Sequence, residues 1–199
     1  MDSISERIFR FKLASRLNSP MELMILIGLQ ASGKSTFFQT YFAPTHEQIS
    51  KDLMPNNKHR DRRQAQLLTA ALEAGRSVVI DNTNPTVAER ASLIQQGRQY
   101  DAEIVGCYFD SKLKDCLNRN RQRTGKAKIP DVGLYATLKK LVQPDYAEGF
   151  HRLFHVAIGA DGAFDVTAWR QNVKEVFDRS SPPAGAMVHT AAQLGRGLE

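Results

Sequence analysis

The chain has 199 residues, 42% of them hydrophobic and 24% charged, with a net charge of +6 at neutral pH. These proportions suit one folded domain with a full core and exclude a disordered polyelectrolyte. No apolar run reaches the roughly eighteen residues of a membrane span, and the first twenty residues, which include Asp2 and Glu6, lack the apolar centre of a signal peptide.

After an N-terminal extension (1–20), the apolar run "MELMILI", Met21 to Ile27, reads as a buried strand. A helix follows from Lys34 to Phe42, and His46 to Lys51 reads as a short second strand. Arg60 to Ala74 has a helical pattern stopped by Gly75, and "SVVID", Ser77 to Asp81, is a third strand. Asn84-Pro85 reads as the cap and opening of a helix that runs to Gln99. A fourth strand spans Ala102 to Asp110, and Ser111 to Arg121 is helical. The basic loop "QRTGKAKIP" comes next, and Asp131 is expected to cap a helix that runs to Val142. Leu153 to Ile158 reads as a fifth strand and Thr167 to Asp178 as a last helix. The Pro-, Gly- and Ala-rich residues 180–199 read as a poorly ordered tail. Strands alternating with helices define an α/β fold, a parallel sheet with helices on both faces. Cys107 and Cys116 have no metal-like spacing and suit reduced thiols in a cytoplasmic chain.

"GLQASGKST", Gly28 to Thr36, follows the first strand with the spacing G-x-x-x-x-G-K-[ST]. Its glycines let the backbone N–H groups of Gly28, Gln30, Ala31, Ser32, Gly33 and their neighbours curl around phosphates at a helix N-terminus. Lys34 would reach the β- and γ-phosphates of ATP or another nucleoside triphosphate, and the Ser35 hydroxyl would join a Mg²⁺ shell. Asp81, at the end of an apolar strand, is the second candidate Mg²⁺ group. The next residue is Asn82, where a motor-type ATPase would place a carboxylate to polarise water. Asp52, in "ISKD" after the second strand, is positioned to take a proton from an attacking hydroxyl. Arg119 and Arg123 lie one helical turn apart in a stretch, Asp110 to Lys140, with nine basic and three acidic residues. They can neutralise charge on a transferring phosphoryl group while the loop shuts out water. A second basic cluster, "KHRDRR", spans Lys58 to Arg63. These features leave open a kinase of nucleic-acid ends, a small-molecule kinase and a nucleotide-gated binding module.

The strings "GLQASGKST", "ISKD", "VVIDNTNP" and "NRNRQRTGKAKIP", in this order, resemble the kinase domain of the polynucleotide 5′-hydroxyl kinases. The later "LYATLKKLVQPDYAEGF" resembles the eukaryotic members that join a 3′-phosphatase to a 5′-kinase. The resemblance covers roughly Glu22 to Ile158 and implies a P-loop kinase-like parallel sheet with an Arg-rich lid, in a domain expected to span residues 21–179. It implies ATP and Mg²⁺ as cofactors, nucleic-acid 5′-OH ends as acceptor and a functional link to a ligase. Residue by residue, Lys34, Ser35 and Asp52 match the phosphate-loop lysine, the metal-binding hydroxyl and the hydroxyl-activating aspartate. Arg119 and Arg123 match paired lid arginines on the donor phosphates, and Asn82, Thr83 and Asn84 lie near the acceptor. Pro55 stands where phage-type enzymes carry an arginine for the acceptor phosphate, a task that would pass to Lys58, Arg60 or Arg63. No "DxDxT" string marks a phosphatase module.

Overall fold

A computed structural model describes residues 20–170 except 55 and 111. The terminal extension, the tail and the part of the last expected helix beyond residue 170 lie outside the described residues. Six strands form one sheet in the order β2-β3-β1-β4-β5-β6. They are β1 (Glu22–Ile27), β2 (Glu47–Ile49), β3 (Val78–Ile80), β4 (Glu103–Phe109), β5 (Arg152–Ile158) and β6 (Phe164–Ala168). The first five run parallel and β6 returns antiparallel along β5. Among the described residues five α-helices join them: α1 (Lys34–Tyr41), α2 (Arg60–Glu73), α3 (Val87–Arg98), α4 (Leu113–Arg121) and α5 (Asp131–Lys140).

β1 is apolar at nearly every position because both of its faces are covered. Leu23, Ile25 and Ile27 meet Leu68, Ala71 and Leu72 of α2 and Leu93 and Ile94 of α3. Met24 and Leu26 point the other way, into Phe37 and Phe38 of α1. Phe37 is the anchor of that second face, with ring centroids 5.2–5.3 Å from Tyr41, Phe109 and Phe164. Truncating such a ring to alanine costs about 3–5 kcal/mol, and α1 would lose its fixed approach to the sheet.

Three sequence expectations are corrected. Thr167 and Ala168 belong to β6, not to a helix: Phe164 pairs with Ile158 across a tight turn in which Gly162 has φ +80° and Asp161 Oδ1 accepts the Ala163 N–H. That strand buries Phe164 against α1, which outweighs the helical pattern of the residues after it. The helix after β3 opens at Val87, where Thr86 is the cap and accepts the Glu89 N–H at 3.2 Å. Asn84 is not that cap, because its amide is engaged with the Leu26 carbonyl. Asp131 is likewise inside the first turn of α5, with Pro130 at the cap position. There it still complements the helix dipole.

At the end of the sheet away from the phosphate loop, Glu22 is buried between His46 Nε2, at 3.1 Å, and the Arg152 guanidinium. Burial pushes its carboxyl up, but the hydrogen bond to His46 and the charge of Arg152 outweigh that and leave it below its ordinary value. A lowered carboxyl pKa contributes stability above the unfolded value, here 4.5, and loses it as the pH falls through the folded value. Glu22→Gln is therefore expected to lower the unfolding free energy at neutral pH and to flatten its decline in acid. Denaturant titrations at several pH values check this: the two proteins should converge as acid protonates the wild-type carboxyl.

Candidate phosphoryl-transfer site

β1 lies between β3 and β4, so the loop at its C-terminal end emerges where the strand order reverses, the usual place for a ligand in such a sheet. Two glycines shape the loop. Gly28 has φ +149°, and a Cβ there would lie 3.0 Å from the Phe109 backbone oxygen; Gly33 has φ +98°, and its Cβ would lie 2.9 Å from Ile158. Gly33 also caps α1 without any side-chain hydrogen bond, which leaves first-turn N–H groups for an anion.

Lys34 is buried and folds back over its own loop. Its ammonium donates to the carbonyls of Gly28 and Leu29 and to Ser32 Oγ. Burial lowers its pKa to about 8, against the opposing pull of Asp81 and, more weakly, Asp52. The ammonium thus lies in the field of both candidate carboxylates. Asp81 follows β3; its N–H donates to Ile49 O, and its Oδ2 accepts Gln48 Nε2 at 2.8 Å.

Asp52 is exposed on a short 3₁₀ turn, Lys51–Leu53, capped by Ser50 Oγ. That turn is held by Asn82, whose Oδ1 accepts the Lys51 N–H at 2.9 Å while its Nδ2 donates to Gln64 at 2.7 Å. The Gly28 N–H donates to Thr83 O at 3.0 Å, and Asn84 donates to Leu26 O at 2.7 Å. The "DNTN" segment is therefore stitched to the phosphate loop on one side and to the Asp52 turn on the other.

The lid consists of α4, the basic loop and α5. Asn120, wholly buried, bonds Ile129 in both directions, with Nδ2 donating to its carbonyl at 2.6 Å and Oδ1 accepting its N–H at 3.1 Å. This fastens the loop that carries Arg123. One cavity is lined by Gln30, Ala31, Gly33 to Thr36, Asp52, Asp81, Asn82, Thr83, Arg123 and Ile129. Arg119 and Asn84 do not line it: Arg119 Nε donates to Ala31 O at 2.7 Å, and Asn84 is buried beneath the loop. Lys58, Arg60 and Arg63 are exposed beside a neighbouring groove that includes Lys51, Leu53, Asn56 and Asn57.

Sequence reading missed the supporting residues Gln48, Gln64, Asn120 and Thr137, as well as Arg90. Arg90 is fully buried. It forms a two-pronged ion pair with Glu148, both distances 2.7 Å, and donates to the carbonyls of Asn84 and Val142 at 3.1 Å. The turn after β3 is thereby joined to the end of the lid helix. The spacing D-x-x-E at Asp145–Glu148, a capping box in the structure, was the available signal.

The donor set suits a Mg²⁺–nucleotide. Ser35 and Asp81 offer hard oxygen ligands, and no group of three His, Cys, Asp or Glu that could hold a metal exists among the described residues. Mg²⁺ accepts such a sparse protein shell because it keeps waters and phosphate oxygens.

Fold and site together define a P-loop kinase-type enzyme. Residues 23–140 match the family model described as an AAA domain, and the chain belongs to that family. It is similar to Transcription factor bHLH140 of Arabidopsis thaliana, 29% identical over 148 residues, which covers 70% of this chain and 16% of that protein. It is also similar to the bifunctional polynucleotide phosphatase/kinase of Schizosaccharomyces pombe, 26% identical over 136 residues, 65% of this chain and 32% of that one. Among solved structures, a chain of the Pnkp1/Rnl/Hen1 RNA repair complex matches with a TM-score of 0.52 at 25% identity, covering 63% of this chain and 45% of its own. The chain thus spans less than half the length of each of these relatives. The likeness to polynucleotide kinases read from the motifs is borne out.

Two outcomes follow from this geometry. A polyphosphate binds the charged form of Lys34, so affinity for ADP or ATP should fall as the pH rises through about 8, approaching roughly tenfold per pH unit. Calorimetric titration across that range checks it. Arg90→Ala should lower the unfolding free energy by about 3–5 kcal/mol, because it leaves Glu148 buried without its partner, and denaturant unfolding measures the loss.

Proposed function

We propose that the chain is an ATP- and Mg²⁺-dependent kinase that transfers the γ-phosphoryl group to the 5′-OH end of RNA or DNA. The observation that carries this reading is the single cavity in which the phosphate loop, Asp52, Asp81 and Arg123 meet, next to a groove bordered by Lys51, Lys58, Arg60 and Arg63. The Schizosaccharomyces pombe relative, named for a polynucleotide kinase, supports it.

The chemistry asks little covalent work of the protein. A bond forms between the acceptor 5′ oxygen and the γ-phosphorus, the bond from that phosphorus to the β,γ-bridging oxygen breaks, and the hydroxyl proton passes to the Asp52 carboxylate. Ser35 and Asp81 would hold Mg²⁺, which when bound neutralises phosphate charge. Lys34 would exchange its loop carbonyls for phosphate oxygens. Arg123 would spread the charge of the moving group, while Asn82 and Thr83 border the acceptor side. Lys58, Arg60 and Arg63 would grip the phosphodiester backbone in a salt-dependent manner, while Lys51 is paired with Asp61 in the same groove. A 5′-phosphorylated end is what a nucleic-acid ligase consumes, so a ligase is the proposed functional partner. The two free, buried cysteines support a reducing, cytoplasmic setting.

Transfer from γ-labelled ATP with Mg²⁺ to 5′-OH RNA and DNA oligomers, with 5′-phosphorylated copies as controls, tests the proposal. Label should reach the 5′-OH strands only and weaken as salt rises. Asp52→Asn should cut transfer by about 10²–10⁴-fold, the range of a lost general base, with ADP affinity kept. Unlabelled strands from an enzyme that still binds ATP would send the phosphoryl group to a small-molecule acceptor instead.

A further inference from the structure

Three consecutive residues of the phosphate loop are tied to the lid. Leu29 is buried against Cys116 of α4 and Leu134 of α5. Gln30 Nε2 donates to Thr137 Oγ1 at 2.8 Å, and the Thr137 hydroxyl in turn donates to Gly133 O at 3.0 Å. Because that proton is spent on Gly133, Thr137 can only accept from Gln30, which fixes the orientation of the glutamine amide. Ala31 O accepts from Arg119 Nε at 2.7 Å. Ala31 has φ +58°, a left-handed backbone that is strained for a non-glycine residue. The loop is therefore held in shape partly from outside.

The two lid arginines point to different tasks. Arg123 lines the cavity together with the phosphate loop and Asp52, whereas Arg119 is absent from its lining. The Arg119 Nε is spent on the loop backbone, and its Nη2 faces Cys116 Sγ at 3.7 Å. We infer that Arg119 is a positioning residue: with the Gln30–Thr137 bond it holds the phosphate loop ready for nucleotide, while Arg123 alone acts on the phosphoryl group in transfer. This departs from the pairing of both arginines on the donor phosphates that the family resemblance implies. It rests on the proposed nucleotide site but not on the identity of the acceptor.

A distorted loop should affect every phosphate it holds, so ADP and ATP suffer alike; a γ-phosphate contact matters to ATP only. The test titrates Mg²⁺ with ADP and with the β,γ-imido analogue of ATP into wild type, Arg119→Gln, Thr137→Val and Arg123→Gln. Arg119→Gln should weaken both nucleotides by the same factor, about tenfold for a lost charge-assisted hydrogen bond. Thr137→Val should act in the same direction and less strongly. Arg123→Gln should weaken the imido analogue by a larger factor than ADP. Amide exchange without nucleotide supplies a second readout. Arg119→Gln and Thr137→Val should speed exchange across residues 28–34 and leave the sheet protected, while Arg123→Gln should not. If Arg119→Gln fails to fold, Thr137→Val, at a residue outside the cavity lining, decides the matter by the same two readouts. Wild-type ADP affinity and loop exchange in Arg119→Gln, with only the imido analogue weakened, would overturn the inference and put both arginines on the γ-phosphate. A wild type that binds nucleotide yet labels no strand would sink the polynucleotide reading and leave this inference to be judged on binding alone.

Discussion

Two hydrogen bonds hold the phosphate loop against the turn that follows β3: the Gly28 N–H to Thr83 O and the Asn84 amide to Leu26 O. Both connect segments more than fifty residues apart in sequence. They are made by backbone or carboxamide groups that would be costly to leave unpaired where they are buried. Once they form, Asp81 is held at a set distance from the loop lysine. Asn82 is then aimed at the Lys51 N–H, so the turn carrying Asp52 takes its position from the same stitch. Donor loop, candidate metal ligand and candidate base belong to one frame.

That frame extends into the lid. Basic lids are commonly pictured as mobile loops that fold over a bound nucleotide, yet here the loop is closed upon itself by Asn120 and based on a small apolar cluster shared with Leu29. Arg90 and Glu148 connect the far end of α5 to the Asn84 turn. The phosphate loop and the turn after β3 are thus each tied to α5 or to the residues just beyond it. An apolar residue could pack at position 90, but it could not hold two carbonyls and a carboxylate in one geometry, the task that suits a guanidinium.

The parts of this arrangement legible in the sequence were those whose chemistry is written in local spacing. A continuous apolar run before a glycine-rich loop, an aspartate ending a strand and alternating strand and helix patterns needed no knowledge of distant contacts. Asp52 was found because it follows the second strand closely. The illegible parts depend on pairings between remote segments. Arg119 was assigned with Arg123 because they are neighbours on a helix, but 88 residues separate it from the carbonyl it bonds. Asn84 looked like a helix cap because a proline follows it; its real partner is a strand carbonyl 58 residues earlier. β6 escaped although Phe164, Val166 and Ala168 alternate with polar residues, because the run is only five residues long and buries just one of them, Phe164.

Asn82 shows how one side chain narrows the chemistry open to the site. A carboxylate in its place could polarise a water for hydrolysis, but it could accept only. The bond from Asn82 Nδ2 to Gln64 would lose its donor, and the charge would sit in a part-buried network with no cation supplied by Gln64. A carboxamide donates to Gln64 and accepts from Lys51 at once, and is therefore spent on shape. The remaining candidate for proton transfer is Asp52, exposed on its turn between Lys51 and Leu53, which line the neighbouring groove. On the proposed reading, an exposed carboxylate beside these cations suits an acceptor that arrives from outside with its own hydroxyl, and Asn82 leaves no carboxylate behind it to polarise water.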